Sequence, residues 1–139
     1  MQNNIFKGYI ASRNIHNLEI PQSIQNMVIR YYAEKRNKIF SLSATEYIMD
    51  NSFMMLDSLI AEAEKYEALV FYSLFMLPEN SARRNKMFQT CLSKNCEIHF
   101  AFEELVIKNK DDIPLINDIL MTRDLSEIVG EQSWPYKNL

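Results

Sequence analysis

Residues 68–72, Ala68-Leu69-Val70-Phe71-Tyr72, are apolar at consecutive positions, and this run decides the fold class. Successive residues of a strand point to opposite faces, so a strand here would be apolar on both faces. That pattern is typical of the middle of a parallel sheet that helices cover on both sides. The run therefore predicts a buried central strand.

Strands and helices alternate on either side of this run. Apolar residues at helical spacing, with Pro21 near the start, predict one helix, and helix-start signals at Asp50 and Pro78 predict two more. The alternation predicts a single α/β domain of three layers, with right-handed crossovers and a mainly parallel sheet of four or more strands. The predicted strands cover residues 6–11, 39–42, 68–72 and 97–102, and a last helix follows Asp111-Asp112.

The domain is expected to span residues 1–121 of the 139-residue chain. Residues 122–139 show no strong periodicity and are predicted to form a C-terminal tail. The tail carries Trp134-Pro135-Tyr136, which could dock on the domain or on a partner subunit. Disorder of the tail is the alternative.

Composition limits the function classes. The net charge is −3, the sequence pI is about 5.4, and no block of basic residues stands out, so nucleic-acid binding is not expected. Gly8 and Gly130 are the only glycines, which excludes glycine-rich phosphate loops. No signal-peptide pattern opens the chain, and the longest apolar run, residues 68–77, is too short to cross a membrane. We therefore expect a cytoplasmic protein without membrane insertion, in which Cys91 and Cys96 are reduced thiols.

Polar side chains follow the predicted strands at their carboxyl ends. The richest stretch is Ser41-Leu42-Ser43-Ala44-Thr45-Glu46-Tyr47, directly after the apolar pair Ile39-Phe40. Because the carboxyl ends of parallel strands share one edge of the sheet, where such folds bind ligands, we expect a site at this edge. Its candidate residues are Ser12 and Arg13 after the first strand, Ser43, Thr45, Glu46 and Tyr47 after the second, Ser73 and Glu79 after the third, Glu103 after the fourth, and Gln22 and Gln25 at the start of the first helix.

The expected chemistry at this edge is anion binding beside an acid/base group. Helix N-termini offer free N–H groups, and the guanidinium of Arg13 suits a carboxylate or a phosphate. Glu46 is the predicted proton-transfer group, Ser12 completes the catalytic set, and the other candidates position the substrate. Structural alternatives stay open: Arg13 and Glu46 could pair with each other, the hydroxyl groups could belong to turns or caps, and the glutamines could be solvated.

No metal or cofactor is predicted. Cys96 and His99 lie three residues apart on a predicted strand, so their side chains point to opposite faces. We expect buried thiols and a packed or edge histidine instead. Arg83, Arg84 and Lys86 form a local basic cluster that we interpret as a solvated helix face, with an anionic partner as the alternative.

Several short segments carry a family resemblance. They are Gly8-Tyr9-Ile10 with Ser12-Arg13, Ile20-Pro21 with Gln25-Asn26, Leu42-Ser43-Ala44-Thr45-Glu46-Tyr47, Met54-Met55-Leu56, and Tyr72-Ser73-Leu74-Phe75 with Leu77-Pro78-Glu79. Across residues 7–107 the chain resembles a family of small proteins that occur sporadically in bacterial surface-carbohydrate gene clusters. The resemblance implies a role in making or modifying a polysaccharide or lipopolysaccharide sugar, without an assigned reaction.

The predicted order of elements also has a tyrosine on the first strand, a glutamine in the first helix and a serine-rich segment before the second helix. This order distantly resembles the catalytic domain of serine recombinases, the resolvase-like fold. Aligned on Tyr9, the recombinase arginine falls at Ala11, its nucleophilic serine at Arg13, and its Asp-Arg pair at Phe75-Met76. Ser12 lies one residue from the nucleophile's place. The resemblance therefore implies the fold and a homodimer, but not DNA strand exchange.

Together these observations predict a cytoplasmic enzyme, or enzyme subunit, of surface-carbohydrate biosynthesis. It would act by acid/base chemistry on a small anionic sugar or nucleotide-sugar ligand. The alternative is a non-catalytic partner or regulatory subunit of such a pathway, working as a homodimer. A recombinase-like protein that binds nucleic acid is disfavoured by the acidic balance and by the missing catalytic pattern.

Overall fold

One five-stranded sheet organises the chain. A computed structural model describes residues 3–12, 15, 18–47 and 53–133, with the backbone alone at 126–133. The strand order is β2-β1-β3-β4-β5; the first four strands are mutually parallel, and β5 runs antiparallel to β4. The strands are β1 (Ile5–Ala11), β2 (Ile39–Glu46), β3 (Ala68–Phe71), β4 (Glu97–Phe100) and β5 (Leu105–Ile107).

Helices lie on both faces of this sheet. On the first face, a Cβ placed at Gly8 of β1 would meet Ile29 of α1. On the second face, the next residue of β1, Tyr9, hydrogen-bonds Glu46, which in turn binds the start of α2. The helices are α1 (Gln22–Lys35), α2 (Met54–Ala61), α3 (Ser81–Ser93) and α4 (Ile113–Ser133). None of the helices in the described residues has a stretch both long and apolar enough to span a bilayer.

The central strand is buried as the sequence predicts. Every residue of β3 is fully buried, and β3 pairs with β1 on one side and β4 on the other. Burial on both faces is the reason why the run is apolar at consecutive positions. The predicted three-layer α/β fold with a mainly parallel sheet is confirmed.

Two strands differ from the prediction. β2 continues to Glu46, four residues past its predicted end, because Ala44, Thr45 and Glu46 pair with Tyr9, Ile10 and Ala11 of β1. Ala44 and Glu46 are weak strand formers, so pairing with the neighbouring strand extends β2 through this segment.

The fourth predicted strand is divided in two. β4 ends at Phe100, a turn follows in which Glu104 has a φ of 56°, and β5 returns antiparallel to β4. A three-residue strand that is stabilised by pairing with one neighbour leaves little pattern in the sequence.

The last helix is longer than predicted. α4 continues to Ser133, so the backbone of residues 122–133 is helical rather than irregular. This segment lacks a clear apolar stripe in the sequence, and for that reason periodicity alone does not reveal it. Trp134-Pro135-Tyr136 lies outside the described residues, and its docking stays a prediction.

Asparagine ends two of the helices in this glycine-poor chain. Asn37 after α1 and Asn95 after α3 have φ angles of 58° and 59°, the left-handed region that asparagine tolerates well. After α3, the N–H groups of Asn95 and Cys96 donate to the carbonyls of Leu92 and Cys91. This reversal closes the helix and leads directly into β4.

Candidate functional site

Glu46 lies at the carboxyl end of β2 and is only 2% exposed. Its Oε1 accepts hydrogen bonds from the Tyr9 hydroxyl at 3.0 Å and from the Leu56 N–H at 3.3 Å. Its Oε2 accepts from the Met55 N–H at 3.0 Å. Both N–H groups belong to the first turn of α2, where the helix itself supplies no acceptor. The carboxylate therefore joins β1, β2 and α2, and its charge complements the helix dipole.

Ser12 extends the pairing of β1 with β2 beyond the last strand residue. Its N–H donates to the carbonyl of Glu46 at 3.0 Å, and its Oγ donates to the same carbonyl at 3.2 Å. The side chain is half-buried. Arg13 lies outside the described residues, so its predicted pairing with an anion or with Glu46 stays a prediction.

Ser73 and Glu103 meet at the ends of β3 and β4. The Ser73 hydroxyl, on a residue that is 1% exposed, donates to Glu103 Oε2 at 2.6 Å. The Leu74 N–H donates to Glu103 Oε1 at 3.0 Å, and the Phe75 N–H donates to Ser73 Oγ at 3.2 Å. Glu103 thus caps the short 3-10 helix Leu74–Met76 in the same way as Glu46 caps α2.

Gln25 is fully buried and completes the end of β1. Its Oε1 accepts from the Ala11 N–H at 3.1 Å, and its Nε2 donates to the carbonyls of Ala11 and Ile20, each at 2.8 Å. Pairing of β1 with β3 stops at Tyr9, so the side-chain amide takes the place of a backbone partner for Ala11. Gln22, one turn earlier, is half-buried at the first position of α1.

Ser43 packs beneath α1. A Cβ on Gly8 would lie 2.1 Å from Ser43 Oγ, at an irregularity in the register between β1 and β2. The Ser43 hydroxyl is buried and has no hydrogen-bond partner among the described residues. Ser43 therefore fills the space that the missing Gly8 side chain leaves, and substrate contact by its hydroxyl stays a prediction.

The other predicted contacts are spread around this edge. Tyr47 and Glu79 are exposed, and Thr45 is half-buried. The convergence that the sequence predicts therefore takes the form of two clusters. We call Tyr9, Ser12 and Glu46 the Glu46 cluster, and Ser73 with Glu103 the Glu103 cluster.

The basic cluster of the sequence divides in the structure. Arg84 is 7% exposed and donates to Asn117 Oδ1 and to the carbonyls of Pro78 and Glu79 at 2.9–3.1 Å. Burial lowers the pKa of its guanidinium. Arg83 instead pairs with Asp57 of α2 at 3.1 Å, beside a cleft of about 230 Å³ between α2 and α3. Arg84 therefore ties α3 to α4 and is not part of a solvated face.

Both cysteines are buried, as the sequence predicts. Desolvation raises the pKa of each thiol to about 12, so Cys91 and Cys96 remain protonated and are poor nucleophiles at neutral pH. In the part of the chain that the structure describes, no three His, Cys, Asp or Glu side chains are placed to hold a metal ion.

A second polar site lies at the opposite end of the sheet, and sequence reasoning missed it. His99 of β4 is 5% exposed and hydrogen-bonds Glu97 Oε1 through Nε2 at 2.8 Å. Its Nδ1 lies 2.7 Å from the hydroxyl of Tyr32 in α1. These groups line a cleft of about 360 Å³, which we call the His99 cleft.

One signal in the sequence could have indicated this site. Glu97 and His99 lie two residues apart on a strand, so strand alternation places them on the same face. The same rule places His99 and Cys96 on opposite faces. Tyr32 could not have been found this way, because it lies 67 residues from His99 along the chain.

Comparison with known proteins supports the fold and leaves the family open. The chain matches no family model and no curated protein. It is similar in structure to the N-terminal catalytic domain of TP901-1 integrase, with a TM-score of 0.62 and 15% identity over 92% of this chain and 99% of that chain. The chain therefore has a resolvase-like fold. At this identity the likeness is one of architecture.

Proposed function

We propose that this chain is a protein of bacterial surface-carbohydrate biosynthesis that acts on a small anionic sugar derivative at the carboxyl edge of its sheet, by acid/base chemistry. The observation that carries the proposal is the Glu46 carboxylate, buried at that edge between the Tyr9 hydroxyl and the start of α2. The carbohydrate context rests on the family resemblance of residues 7–107.

The strand order supports a ligand at this edge. The chain passes from β1 to β2 on one side and returns to β3 on the other, so the direction of winding reverses between β1 and β3. In open α/β sheets ligands bind in the crevice that this reversal creates. Ser12 follows β1 and Ser73 lies just beyond β3, so both residues flank the crevice.

Glu46 is the acid/base group in this proposal. Its two oxygens accept three hydrogen bonds, and a carboxylate has about four lone-pair sites. In this proposal a substrate hydroxyl takes the remaining acceptor site of the carboxylate without releasing α2. The half-buried Ser12 would orient the substrate, and Arg13 would bind its anionic group.

The test is complementation of cells that lack the gene, followed by mass spectrometry of sugar metabolites and surface carbohydrate. We expect Glu46→Gln to lose the product while the purified protein retains its cooperative thermal transition. Glu34→Gln, which removes an exposed carboxylate of α1, is the matched control and should restore the product. A folded Glu46→Gln variant that restores product as well as the wild type would overturn the acid/base role.

Ser12→Ala keeps the test decisive if Glu46→Gln fails to fold. Within the described residues the Ser12 side chain makes one hydrogen bond, at the end of the β1–β2 pairing, so its removal should leave the fold intact. A fall in product of tenfold or more is expected, and a full yield would argue against a ligand in this crevice.

A non-catalytic partner role is the second candidate, and a specific observation favours it. The polar side chains at this edge all have hydrogen-bond partners within the chain, as expected if their role is structural. They are Gln25, Glu46, Ser73 and Glu103. Under this reading Glu46→Gln and Ser12→Ala both restore product in proportion to the amount of folded protein. Co-purification with another pathway protein would then identify the role.

Binding of nucleic acid is the third and weakest candidate. The integrase domain shares the architecture, but the net charge of this chain is −3, and phosphate backbones are bound by clustered cations. DNA binding that weakens steeply with salt would revive this reading. We expect none at physiological ionic strength.

A further inference from the structure

Helix α1 carries apolar side chains on the side that faces away from the sheet. Its buried side consists of Gln25, Ile29, Tyr32 and Ala33. Ile24, Met27 and Tyr31 recur at intervals of three and four residues, so they share the opposite side of the helix. These three residues are 39%, 59% and 65% exposed. A surface helix normally has polar residues opposite its buried side, so this second apolar stripe calls for a partner.

Phe102 adds an aromatic ring beside this stripe. It lies in the turn between β4 and β5 and is 65% exposed. A cleft of about 200 Å³ lies between Phe102 and α1, and Val28 and Tyr31 line it as well. The exposed side chains therefore form one continuous surface, which we call the α1 patch. Its members are Ile24, Met27, Tyr31 and Phe102.

Charge is nearly balanced around the α1 patch. Arg36 and Glu104 line the cleft and lie 3.7 Å apart, so they offset each other. Lys35 is exposed on the same cleft, and its long stem allows the ammonium group to remain in water beside an apolar contact. The α1 patch therefore offers apolar contact rather than a site for a charged ligand.

The area of the α1 patch fits a protein–protein contact. A large side chain has about 200 Å² to bury, so four side chains at these exposures offer about 400 Å² of mainly apolar surface. A standard interface buries about 800 Å² on each partner, and about 57% of that area is apolar. The α1 patch therefore supplies most of the apolar surface that one partner contributes to such an interface.

The two ends of the α1 patch are complementary to each other. Tyr31 and Phe102 form an aromatic end, near the carboxyl terminus of α1, whereas Ile24 and Met27 form an aliphatic end. Antiparallel packing of α1 on the α1 of a second copy, about a two-fold axis near Met27, places the aromatic end of each copy on the aliphatic end of the other. Contacts between thioethers and aromatic rings are favourable, and each contact occurs twice in a two-fold interface.

We propose that the α1 patch is the interface of a homodimer, in which the α1 helices of two copies pack antiparallel between their sheets. The proposal goes beyond the proposed function and does not rest on it, because the α1 patch shares no residue with the Glu46 cluster or the Glu103 cluster.

Sedimentation velocity over a range of protein concentrations tests the proposal. We expect the wild type to form dimers with a Kd of about 1–10 µM. Met27→Lys places a charge at the centre of the interface and should weaken the dimer about 100-fold. Its thermal transition should match that of the wild type, because residue 27 is exposed in the single chain. A wild type that remains monomeric at about 200 µM would overturn the proposal and leave the α1 patch to a different protein.

Met121→Lys is the matched control. Met121 is 57% exposed on α4, so the same charge is added at a methionine of similar exposure outside the α1 patch. We expect its Kd to lie within about twofold of the wild-type value. Loss of the dimer in Met121→Lys but not in Met27→Lys would move the interface to α4 and overturn the proposal. Equal weakening in both variants would indicate a general effect of charge and would also overturn it.

A cysteine at the two-fold axis tests the antiparallel arrangement. Met27→Cys should cross-link two copies through a short bismaleimide, because the axis brings the two equivalent positions together. Cys91 and Cys96 are buried, so they should not compete for the reagent. Met121→Cys should give no cross-link at the same protein concentration. A dimeric Met27→Cys variant that does not cross-link would reject the two-fold packing of α1.

Discussion

The two ends of the sheet use polar side chains differently. At the carboxyl edge, Glu46 and Glu103 accept hydrogen bonds from backbone N–H groups and are drawn into the fold. At the amino end, Glu97 and His99 bond to other side chains and border an open cleft. Helices begin at the first edge and expose N–H donors there, whereas they finish at the second and favour cations such as Arg36. Carboxylates therefore cap backbone N–H groups at the carboxyl edge, whereas at the amino end they pair with side chains beside an open cleft.

Removal of the Glu46 side chain tests this contrast and should have the largest effect on the free energy of unfolding. Glu46→Ala removes the buried carboxylate that accepts hydrogen bonds from the Tyr9 hydroxyl and from two N–H groups of α2. We expect a loss of about 3 kcal/mol in the free energy of unfolding. Glu97→Ala removes a half-buried carboxylate at the open cleft and takes the acceptor from one donor, the His99 N–H, so it should cost less, about 1 kcal/mol. Urea denaturation measures the free energy of unfolding of both variants. Equal losses would contradict the contrast between the two ends of the sheet.

Gly8→Ala tests how closely the carboxyl half of the sheet is packed. The added Cβ would lie 2.1 Å from Ser43 Oγ and 3.1 Å from Ser43 Cβ, so the Ser43 side chain or the strands that carry the two residues must move, at a cost of about 2 kcal/mol. Ser43→Gly in the same chain should recover part of that loss, because it removes the clashing atom. A double-mutant cycle by urea denaturation measures the coupling, and strict additivity would contradict the packing argument.

Ser73→Ala tests the smaller Glu103 cluster. The change removes the donor at 2.6 Å from Glu103 and the acceptor of the Phe75 N–H. We expect a loss of about 1–2 kcal/mol, smaller than for Glu46→Ala. Thermal or urea unfolding checks this, with Ser93→Ala at an exposed position near the end of α3 as the control.

The pH dependence of stability should show the smallest effect, and it belongs to the His99 cleft. Burial lowers the pKa of His99 below its ordinary value of 6.5, while Glu97, Tyr32, Arg36 and Lys108 face or surround the ring. The unfolded chain then binds a proton more readily than the folded one, so stability falls as the pH drops below about 6.5.

His99→Gln should flatten this part of the profile. Urea midpoints of the wild type and of His99→Gln between pH 8 and pH 5 make the measurement. If the wild type instead became more stable as the pH fell from 8 to 5, and His99→Gln did not, His99 would bind a proton more readily in the folded state. That result would reject a neutral His99.

Several features could be predicted from local pattern. Strand β3 is apolar throughout because both of its faces are buried, and Pro21 marks the start of α1 one residue before Gln22. The antiparallel strand β5 could not be predicted. It has three residues that are held in place by pairing with β4, and so short a strand shows almost no periodicity. The continuation of β2 through Ala44 and Glu46 could not be predicted either, because both residues are weak strand formers and pairing with β1 holds them extended.

The sequence by itself determined the layers of this protein and the edge at which its polar residues gather, because burial and strand direction act on local periodicity. Only the tertiary structure decided what those residues do. Glu46 binds α2, Gln25 completes β1, and Tyr32 reaches His99 from 67 residues away. Hydrogen-bond partners are fixed by distances between separate elements, and no local pattern records those distances.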